Sequence, residues 1–256
     1  MVAAPQAQEL RAAPGWRTVD CISDLHLQAS APATFEAWRR YMAATPADAV
    51  FILGDLFEAW VGDDVAREPG FEADCAQVLR ATARRVPVFF LAGNRDFLVG
   101  ERLAQDTGLA LLQDPTVFVF GGHRWLLSHG DALCIDDTEY LAFRQTVRDA
   151  AWQQAFLQQP LEKRRAVARG MRAESESLKG TDRIYADVDT PAALTWLRAA
   201  DAAVLVHGHT HKPGEHLLDA THRRIVLSDW DADAVPARIE ALRIGVDGSV
   251  RRVGPG

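Results

Sequence analysis

The chain has 256 residues, enough for one large domain with a sizeable core. Apolar residues make up 48% and charged residues 25%, which is typical of a globular protein and not of a disordered or fibrous one. A formal net charge of −7 argues against a nucleic-acid coat, so we predict no nucleic-acid partner. The three cysteines are scattered without CxxC spacing, which indicates a reducing compartment and excludes a thiolate zinc site.

The N-terminal stretch MVAAPQAQELRAAPG lacks the basic and then apolar profile of a signal peptide. No run in the sequence approaches 18 consecutive apolar residues. We therefore expect a cytoplasmic protein, in which residues 1–15 form a disordered tail and residues 16–256 form one domain.

Short apolar runs alternate with amphipathic stretches along the chain. The runs predicted to be strands span 18–23, 49–53, 86–92, 116–120, 124–128, 202–207, 223–228 and 238–244. Helical patterns separate the first three runs, and the second pattern, GFEADCAQVLRATARR, ends in basic residues that suit a helix C-terminus. This order predicts an α/β fold that begins with a βαβαβ unit and continues with hairpin-like pairs.

Residues 133–200 break the alternation because they are helical and poor in strand signals. One predicted helix begins with Asp136 as N-cap and Glu139 three residues on, an arrangement typical of a capping box. Pro160 opens a second helix. We interpret this segment as a helical lid inserted between two strands, with a purely structural excursion as the alternative.

Polar residues directly follow five of the predicted strands. The segments are SDLH after the first run, GD after the second, GNRD after the third, HGD after the fifth and GHTH after the sixth. Each segment alone is more often a turn than a ligand site. Five in succession are hard to explain as turns, because open α/β sheets place their sites at the carboxyl ends of their strands.

Seven side chains in these segments form a candidate ligand set: Asp24, His26, Asp55, Asn94, His129, His209 and His211. Oxygen and nitrogen donors without sulfur suit Mn²⁺, Fe²⁺, Co²⁺ or Zn²⁺ in an open catalytic site. Seven donors are too many for one tetrahedral ion but suit two ions that share a carboxylate. Two divalent ions, two carboxylates and one hydroxide leave a site charge of about +1, which favours an anionic phosphate substrate.

The series DxH, GD, GN, H and GHxH, over residues 24–211, resembles the calcineurin-like metallophosphoesterase superfamily. Within it, ISDLHL, LGDLFEAWVGDD, GNRDFL, SHGDALCIDDTEY and HGHTHKP resemble the UDP-2,3-diacylglucosamine diphosphatase family of Gram-negative lipid A synthesis. The resemblance implies a four-layer α/β/β/α sandwich. It also implies hydrolysis of a lipid-linked UDP-sugar to UMP and a diacylglucosamine 1-phosphate, by a hydroxide held between two Mn²⁺ ions.

The same resemblance implies roles for individual residues. One Mn²⁺ would be held by Asp24, His26, Asp55 and His211, and the other by Asp55, Asn94, His129 and His209. Catalytic roles would fall to Asn94, Arg95 and His129, and substrate contacts to Asn94, Arg95, Asp137, Ser175, Lys179 and His209. A planar guanidinium binds phosphate oxygens bidentately, so the residue type at Arg95 suits its role. Asp182 stands where the family pattern has lysine, a departure that affects substrate contacts in the lid.

The predicted lid also contains residues that are candidates for contacts with lipid. Trp152, Phe156 and Leu157 are candidates for an acyl-chain groove, or alternatively for the core of the lid. A basic run either meets anionic headgroups of the inner membrane or is a solvated face; it comprises Lys163, Arg164, Arg165, Arg169 and Arg172. We expect a monomer, peripheral on the cytoplasmic face of that membrane.

Two other functions stay open at this stage. One is a phosphoesterase on the same scaffold that acts on a soluble nucleotide, such as a dinucleoside polyphosphate, a cyclic nucleotide or another nucleoside diphosphate derivative. The other is a non-catalytic scaffold, which would be expected to lose ligands. His207, the first residue of HGHTHKP, is predicted to lie in the core or to support the ligands from behind. His123, His216 and His222 lie outside the motifs and are predicted to be surface residues.

Overall fold

A computed structural model of the chain describes residues 4–179 and 187–254, apart from the side chains of residues 174–179. The strands are β1 (Gln8–Arg11), β2 (Thr18–Ile22), β3 (Ala49–Leu53), β4 (Val88–Leu91), β5 (Ala110–Leu112), β6 (Thr116–Phe120), β7 (His123–Leu127), β8 (Val204–His207), β9 (Gly214–Leu217), β10 (Arg223–Val226), β11 (Ala241–Gly245) and β12 (Val250–Val253). The helices are α1 (Pro32–Ala44), α2 (Phe71–Ala83), α3 (Glu101–Thr107), α4 (Thr138–Val147), α5 (Ala150–Leu157), α6 (Leu161–Lys179) and α7 (Thr190–Ala199).

The strands form two six-stranded sheets. The first has the order β12-β11-β2-β3-β4-β5, with β2 to β5 parallel and β11 antiparallel to β2. The second has the order β1-β6-β7-β8-β10-β9, with β7, β8 and β10 parallel. Parallel strands covered on both faces read as continuous apolar runs, which is why AVFIL is buried at every position of β3.

Three apolar clusters define the layers. Between the sheets, residues such as Phe51 of β3 pack against Phe118 of β6. On the outer face of the first sheet, α1 and α2 contribute Trp38 and Leu79 to a second cluster. On the outer face of the second sheet, Trp196 of α7 lies in a third cluster. The predicted α/β/β/α sandwich is confirmed.

All eight predicted strands are present, within a few residues of their predicted ends. The disordered tail predicted for residues 1–15 is wrong at residues 8–11, because β1 pairs in parallel with β6 at the edge of the second sheet. The predicted helix beginning at Asp136 is also corrected. Asp137 is the N-cap instead, since its side chain accepts a hydrogen bond from the Tyr140 amide, and a new N-cap at Asp149 separates α4 from α5.

The insertion between β7 and β8 contains α4 to α7. Helix α6 begins directly after Pro160, as the sequence predicts. Because α7 forms the outer layer of the second sheet, only α4 to α6 remain candidates for a lid. None of the helices within the described ranges combines the length and the hydropathy needed to cross a bilayer.

Candidate metal centre

The seven predicted ligands lie in loops that leave one edge of the sandwich. Asp24, Asp55, His129 and His209 each come two residues after the last residue of β2, β3, β7 and β8, and Asn94 comes three residues after β4. Within each sheet these strands are neighbours, so the loops that follow them bring candidate ligands from both sheets to one site. The topology therefore accounts for the convergence of residues that are as far as 187 positions apart in the sequence.

The backbone of this region is in a sparsely populated conformation. Five of the seven residues have positive φ: Asp24 (54°), His26 (48°), Asp55 (53°), His209 (66°) and His211 (52°). Asp201 is the sixth such non-glycine residue among the described parts of the chain. A left-handed residue costs on the order of 1–3 kcal/mol and persists only where its surroundings fix it, and such residues concentrate at functional sites. The strain here coincides with the candidate ligands.

The first donor cluster comprises Asp24, His26 and His211, whose donor atoms lie within 4.8 Å of one another. The Nε2 atoms of His26 and His211 are 3.3 Å apart, and His211 Nε2 is 3.3 Å from Asp24 Oδ1. On the other side of each ring, His26 Nδ1 lies 3.1 Å from Glu58 and His211 Nδ1 lies 3.9 Å from Asp229. A carboxylate behind each imidazole is the usual arrangement for a metal-binding histidine.

The second donor cluster is built around Asn94. Its Oδ1 lies 2.9 Å from both His129 Nε2 and His209 Nδ1. His129 Nδ1 is 3.0 Å from the carbonyl oxygen of Leu53, which suits an N–H donor there and leaves Nε2 with a free lone pair.

Asp55 lies between the two clusters. Its Oδ2 is 3.9 Å from His26 Nε2 in the first cluster, and its Oδ1 is 3.6 Å from His129 Nε2 in the second. Donor atoms of Asp24, Asp55 and His129 also lie within 4.8 Å of one another. One carboxylate whose two oxygens face different clusters is what a shared ligand of two ions requires.

Burial and neighbouring charges shift the pKa values of the centre. Burial lowers the pKa of His129, but the carboxylates of Asp55 and Asp24 outweigh burial and raise it to about 9. Burial also opposes ionisation of Asp24, yet the neighbouring imidazoles hold its pKa well below the usual range. Burial and the nearby His129 lower the pKa of His209 to about 4. These buried carboxylates need positive charge, and divalent cations supply it when they displace protons from such ligands. The residues present fit a pair of divalent ions.

Two glycines of the motifs are explained by close packing. A Cβ atom at Gly93 would lie 2.1 Å from Asp55 Oδ1, and one at Gly208 would lie 2.2 Å from Asp24 Oδ2. Both carboxylates would have to move to admit a side chain. The GN and GHxH motifs therefore need glycine because the backbone passes directly over the carboxylate of a candidate ligand.

Sequence reasoning gave no role to Asp96, which lies fully buried beneath the centre. Its carboxylate accepts hydrogen bonds from the backbone amides of Asp55, Leu56, Phe57 and Gly93, at 3.3, 2.7, 3.4 and 2.8 Å. Burial and the charge of Asp55 raise its pKa to about 7. Asp96 thus joins the two loops that carry Asp55 and Asn94. The available signal was the single acidic residue of GNRD, which the candidate ligand set does not include.

Of the predicted substrate-binding residues other than Asn94 and His209, the structure describes the side chains of Arg95 and Asp137. The Arg95 amide donates to Asp55 Oδ1 at 2.8 Å, and its buried Nε has no hydrogen-bond partner among the described residues. Asp137 Oδ1 accepts from the Tyr140 amide at 3.1 Å as the cap of α4. The side chains of Ser175 and Lys179, and the whole of Asp182, lie outside the described residues.

Arginines of the insertion hold it against the loops of the centre. From α4, Arg144 donates to Asp131 at 2.8 Å, and Arg148 donates to the carbonyl groups of Ala92 and Gly93 at 3.0 and 2.8 Å. From α6, Arg164 is bound to Asp64 and to the Val61 carbonyl group.

The predicted basic face of α6 is therefore only partly present. Lys163 and Arg169 are exposed, but Arg164 is buried, and Arg165 lies between Glu162 and Glu68. The aromatic residues of α5 are likewise more enclosed than an open groove would have them. Phe156 is buried and stacks on Trp152, so Leu157 is the exposed member of that set. His207 is buried, as predicted.

Comparisons with known proteins agree with this geometry. A family model described as calcineurin-like phosphoesterase matches residues 17–213. The UDP-2,3-diacylglucosamine hydrolase of Xanthomonas axonopodis pv. citri (strain 306) is 46% identical over 235 residues, which cover 86% of this chain and 94% of that protein. The protein of the same name from Bordetella parapertussis is 44% identical over 234 residues, which cover 88% of this chain and 91% of that protein.

The similarity to one solved structure is more distant. An archaeal phosphodiesterase aligns over 92% of this chain and 98% of its own, with a TM-score of 0.46 and 11% identity. The chain belongs to the calcineurin-like phosphoesterase family and, within it, to the family of the UDP-2,3-diacylglucosamine hydrolases.

Proposed function

We propose that the protein hydrolyses the diphosphate bond of UDP-2,3-diacylglucosamine, giving UMP and 2,3-diacylglucosamine 1-phosphate, and that it works with two Mn²⁺ ions. The observation that carries the chemistry is the position of Asp55, whose two oxygens face separate clusters of donors. The substrate is taken from relatives that share 44–46% of their residues with this chain and carry that name.

The ions are assigned to the two clusters. The first would be held by Asp24, His26, Asp55 and His211, and the second by Asp55, Asn94, His129 and His209. When bound, a pair of divalent ions lowers the pKa of water to near neutrality and neutralises charge on phosphoryl oxygens. Mn²⁺ suits a mixed set of carboxylate, amide and imidazole donors.

Residues of the chain bind and orient the diphosphate. Arg95 is well placed because its backbone is fixed on Asp55, while its guanidinium, with a buried and unpartnered Nε, can bind phosphoryl oxygens. Asn94 directs Oδ1 at two imidazoles, so its amide nitrogen is left to donate to the substrate.

The rings of His209 and His129 are held in place by their neighbours. His209 stacks against Tyr140 at 5.9 Å between ring centroids, and the Tyr140 hydroxyl donates to Asp131. His129 is fixed by the Leu53 carbonyl group. Fixed rings lower the reorganisation needed when charge develops at the phosphorus, which is how preorganised polar groups contribute to catalysis. Contacts of Asp137, Ser175 and Lys179 with the substrate rest on the family resemblance.

The lid accommodates the lipid in this proposal. Phe143 of α4, Leu157 of α5 and Met171 of α6 are large apolar residues that are 37–41% exposed. Together with Trp152 and Phe156 behind them, they are suited to contact acyl chains. We further propose that the protein acts as a monomer, peripheral on the cytoplasmic face of the inner membrane, where such a substrate resides.

The test is hydrolysis of UDP-2,3-diacylglucosamine in detergent micelles, compared with UDP-N-acetylglucosamine and diadenosine tetraphosphate. We expect UMP from the diacylated substrate alone, with activity abolished by EDTA and restored by Mn²⁺. Metal-dependent cleavage of a soluble nucleotide instead would contradict the substrate and keep the metal chemistry. Full activity in EDTA would contradict the metal centre.

A further inference from the structure

Glu58 is a buried acidic residue that the metal clusters do not include. It follows Asp55 by three residues in the loop after β3. Its backbone amide donates to the Leu27 carbonyl group at 3.1 Å, and the His26 amide donates to the Asp55 carbonyl group at 3.0 Å. This short parallel pairing of the DLHL and DLFE segments fixes Glu58 beside His26.

The Glu58 carboxylate has a different neighbour at each oxygen. Oε2 lies 3.1 Å from His26 Nδ1. Oε1 lies 3.6 Å from the guanidinium of Arg95 and 3.3 Å from that of Arg172, which reaches it from α6. One buried carboxylate therefore contacts a proposed metal ligand, the proposed phosphate-binding arginine and the candidate lid.

We propose that Glu58 is a positioning residue that sets His26 for metal binding and couples α6 to the phosphate-binding arginine. This inference rests on the proposed function only in taking His26 as a metal ligand and Arg95 as a phosphate ligand. With Glu58 Oε2 only 3.1 Å away, the negative charge favours the tautomer of His26 that carries its proton on Nδ1, and the Nε2 lone pair is then directed at the first cluster.

The second half of the proposal follows from charge. Arg95 and Arg172 approach the same oxygen, and their like charges repel each other unless the carboxylate lies between them. Ordering of α6 over the substrate therefore also orders Arg95. In this way α6 acts on the diphosphate through Glu58 and Arg95.

The test uses Glu58→Gln, which keeps the shape and an oxygen that can accept from His26, but removes the charge and presents an amide donor to two guanidinium groups. Binding of Mn²⁺ alone to the metal-free full chain is measured by titration calorimetry, and kcat and KM are measured separately. We expect the affinity of one ion to fall about 10-fold to 100-fold while the other ion binds as before. We also expect KM to rise more than kcat falls.

Two further variants separate positioning from simple structural support. Arg172→Met should leave Mn²⁺ affinity unchanged and raise KM. In the double variant with Glu58→Gln, the Arg172→Met substitution should raise KM little further. Glu101→Gln, at the exposed start of α3, should change nothing. If Glu58→Gln does not fold, Glu58→Asp replaces it, with the charge retained and the reach shortened.

Wild-type Mn²⁺ affinity and KM in a folded Glu58 variant would overturn the inference. Additive KM effects of Glu58→Gln and Arg172→Met would overturn the coupling to α6. Absence of Mn²⁺ binding by the wild-type protein would be a failure of the proposed function, so the two failures can be told apart.

Discussion

Arg164 gives the sharpest test of how the insertion is held in place. The residue is 3% exposed although it belongs to a basic run on α6. Its guanidinium donates to the Val61 carbonyl group and to both oxygens of Asp64, and its Nε donates to the Gln159 carbonyl group at 2.9 Å. Arg164→Met keeps the apolar stem of the side chain and removes every one of these bonds.

The expected loss of stability follows from the burial of the partners. Leaving the buried Val61 carbonyl group without a donor costs about 1–3 kcal/mol. The Asp64 side chain is 49% exposed, so screening limits the value of its ion pair to about 1 kcal/mol or less. The sum for Arg164→Met is about 1–4 kcal/mol. Arg165→Met is the matched control, and we expect it to change stability by less than about 0.5 kcal/mol, because its ion pairs are with exposed glutamates.

The assay is urea unfolding of both variants, followed by tryptophan fluorescence, with hydrogen exchange to show whether α6 opens by itself. We expect Arg164→Met to lower the unfolding midpoint, or to release protection in α6 before global unfolding. Equal stability and equal exchange in Arg164→Met and Arg165→Met would refute the role of Arg164 as an internal anchor. That outcome would also restore the basic run as a candidate lipid-binding face.

Three other predictions concern residues around the centre. Gly208→Ala should lower Mn²⁺ affinity at least about 10-fold, because its Cβ would meet Asp24 Oδ2 at 2.2 Å; calorimetry showing wild-type affinity would contradict this. Asp96→Asn should destabilise the metal-free protein by about 2–4 kcal/mol in urea unfolding, because each carboxylate oxygen accepts from two backbone amides and the new amide nitrogen would face one of these pairs; a loss below about 0.5 kcal/mol would disprove it. Burial raises the pKa of all three thiols, that of Cys134 to about 12, so a thiol-specific reagent should label them only after unfolding, and rapid labelling of the native protein would be the contrary result.

Much of the fold was accessible from the sequence because local apolar patterning determines it. Strands β3 and β6 match their predicted ends, since AVFIL is apolar throughout, TVFVF is apolar after Thr116, and both are largely buried. Strand β1, QELR, carries no such signal. It is a strand only because its backbone pairs with β6, which lies more than 100 residues away in the sequence. Such pairing is a property of the assembled sheet.

The candidate ligands were equally accessible, because each follows an apolar strand directly. The residues that support these ligands could not be predicted from the sequence. The contacts of Glu58 with Arg172 and of Arg164 with Asp64 join positions at least 100 residues apart. No local pattern distinguishes a buried arginine on α6 from its exposed neighbours. The predicted N-cap of α4 is wrong by one position, because Asp136 and Asp137 are both aspartates and only the backbone geometry selects Asp137.

The metal content of the protein tests the central claim most directly. Wild-type protein loaded with Mn²⁺ and dialysed should hold two ions per chain by elemental analysis. His209→Ala should remain folded by circular dichroism and hold one ion, because His209 contributes only to the cluster around Asn94. His216→Ala, at an exposed position of β9, should hold two. Two ions retained in His209→Ala, or none in the wild-type protein, would contradict the account.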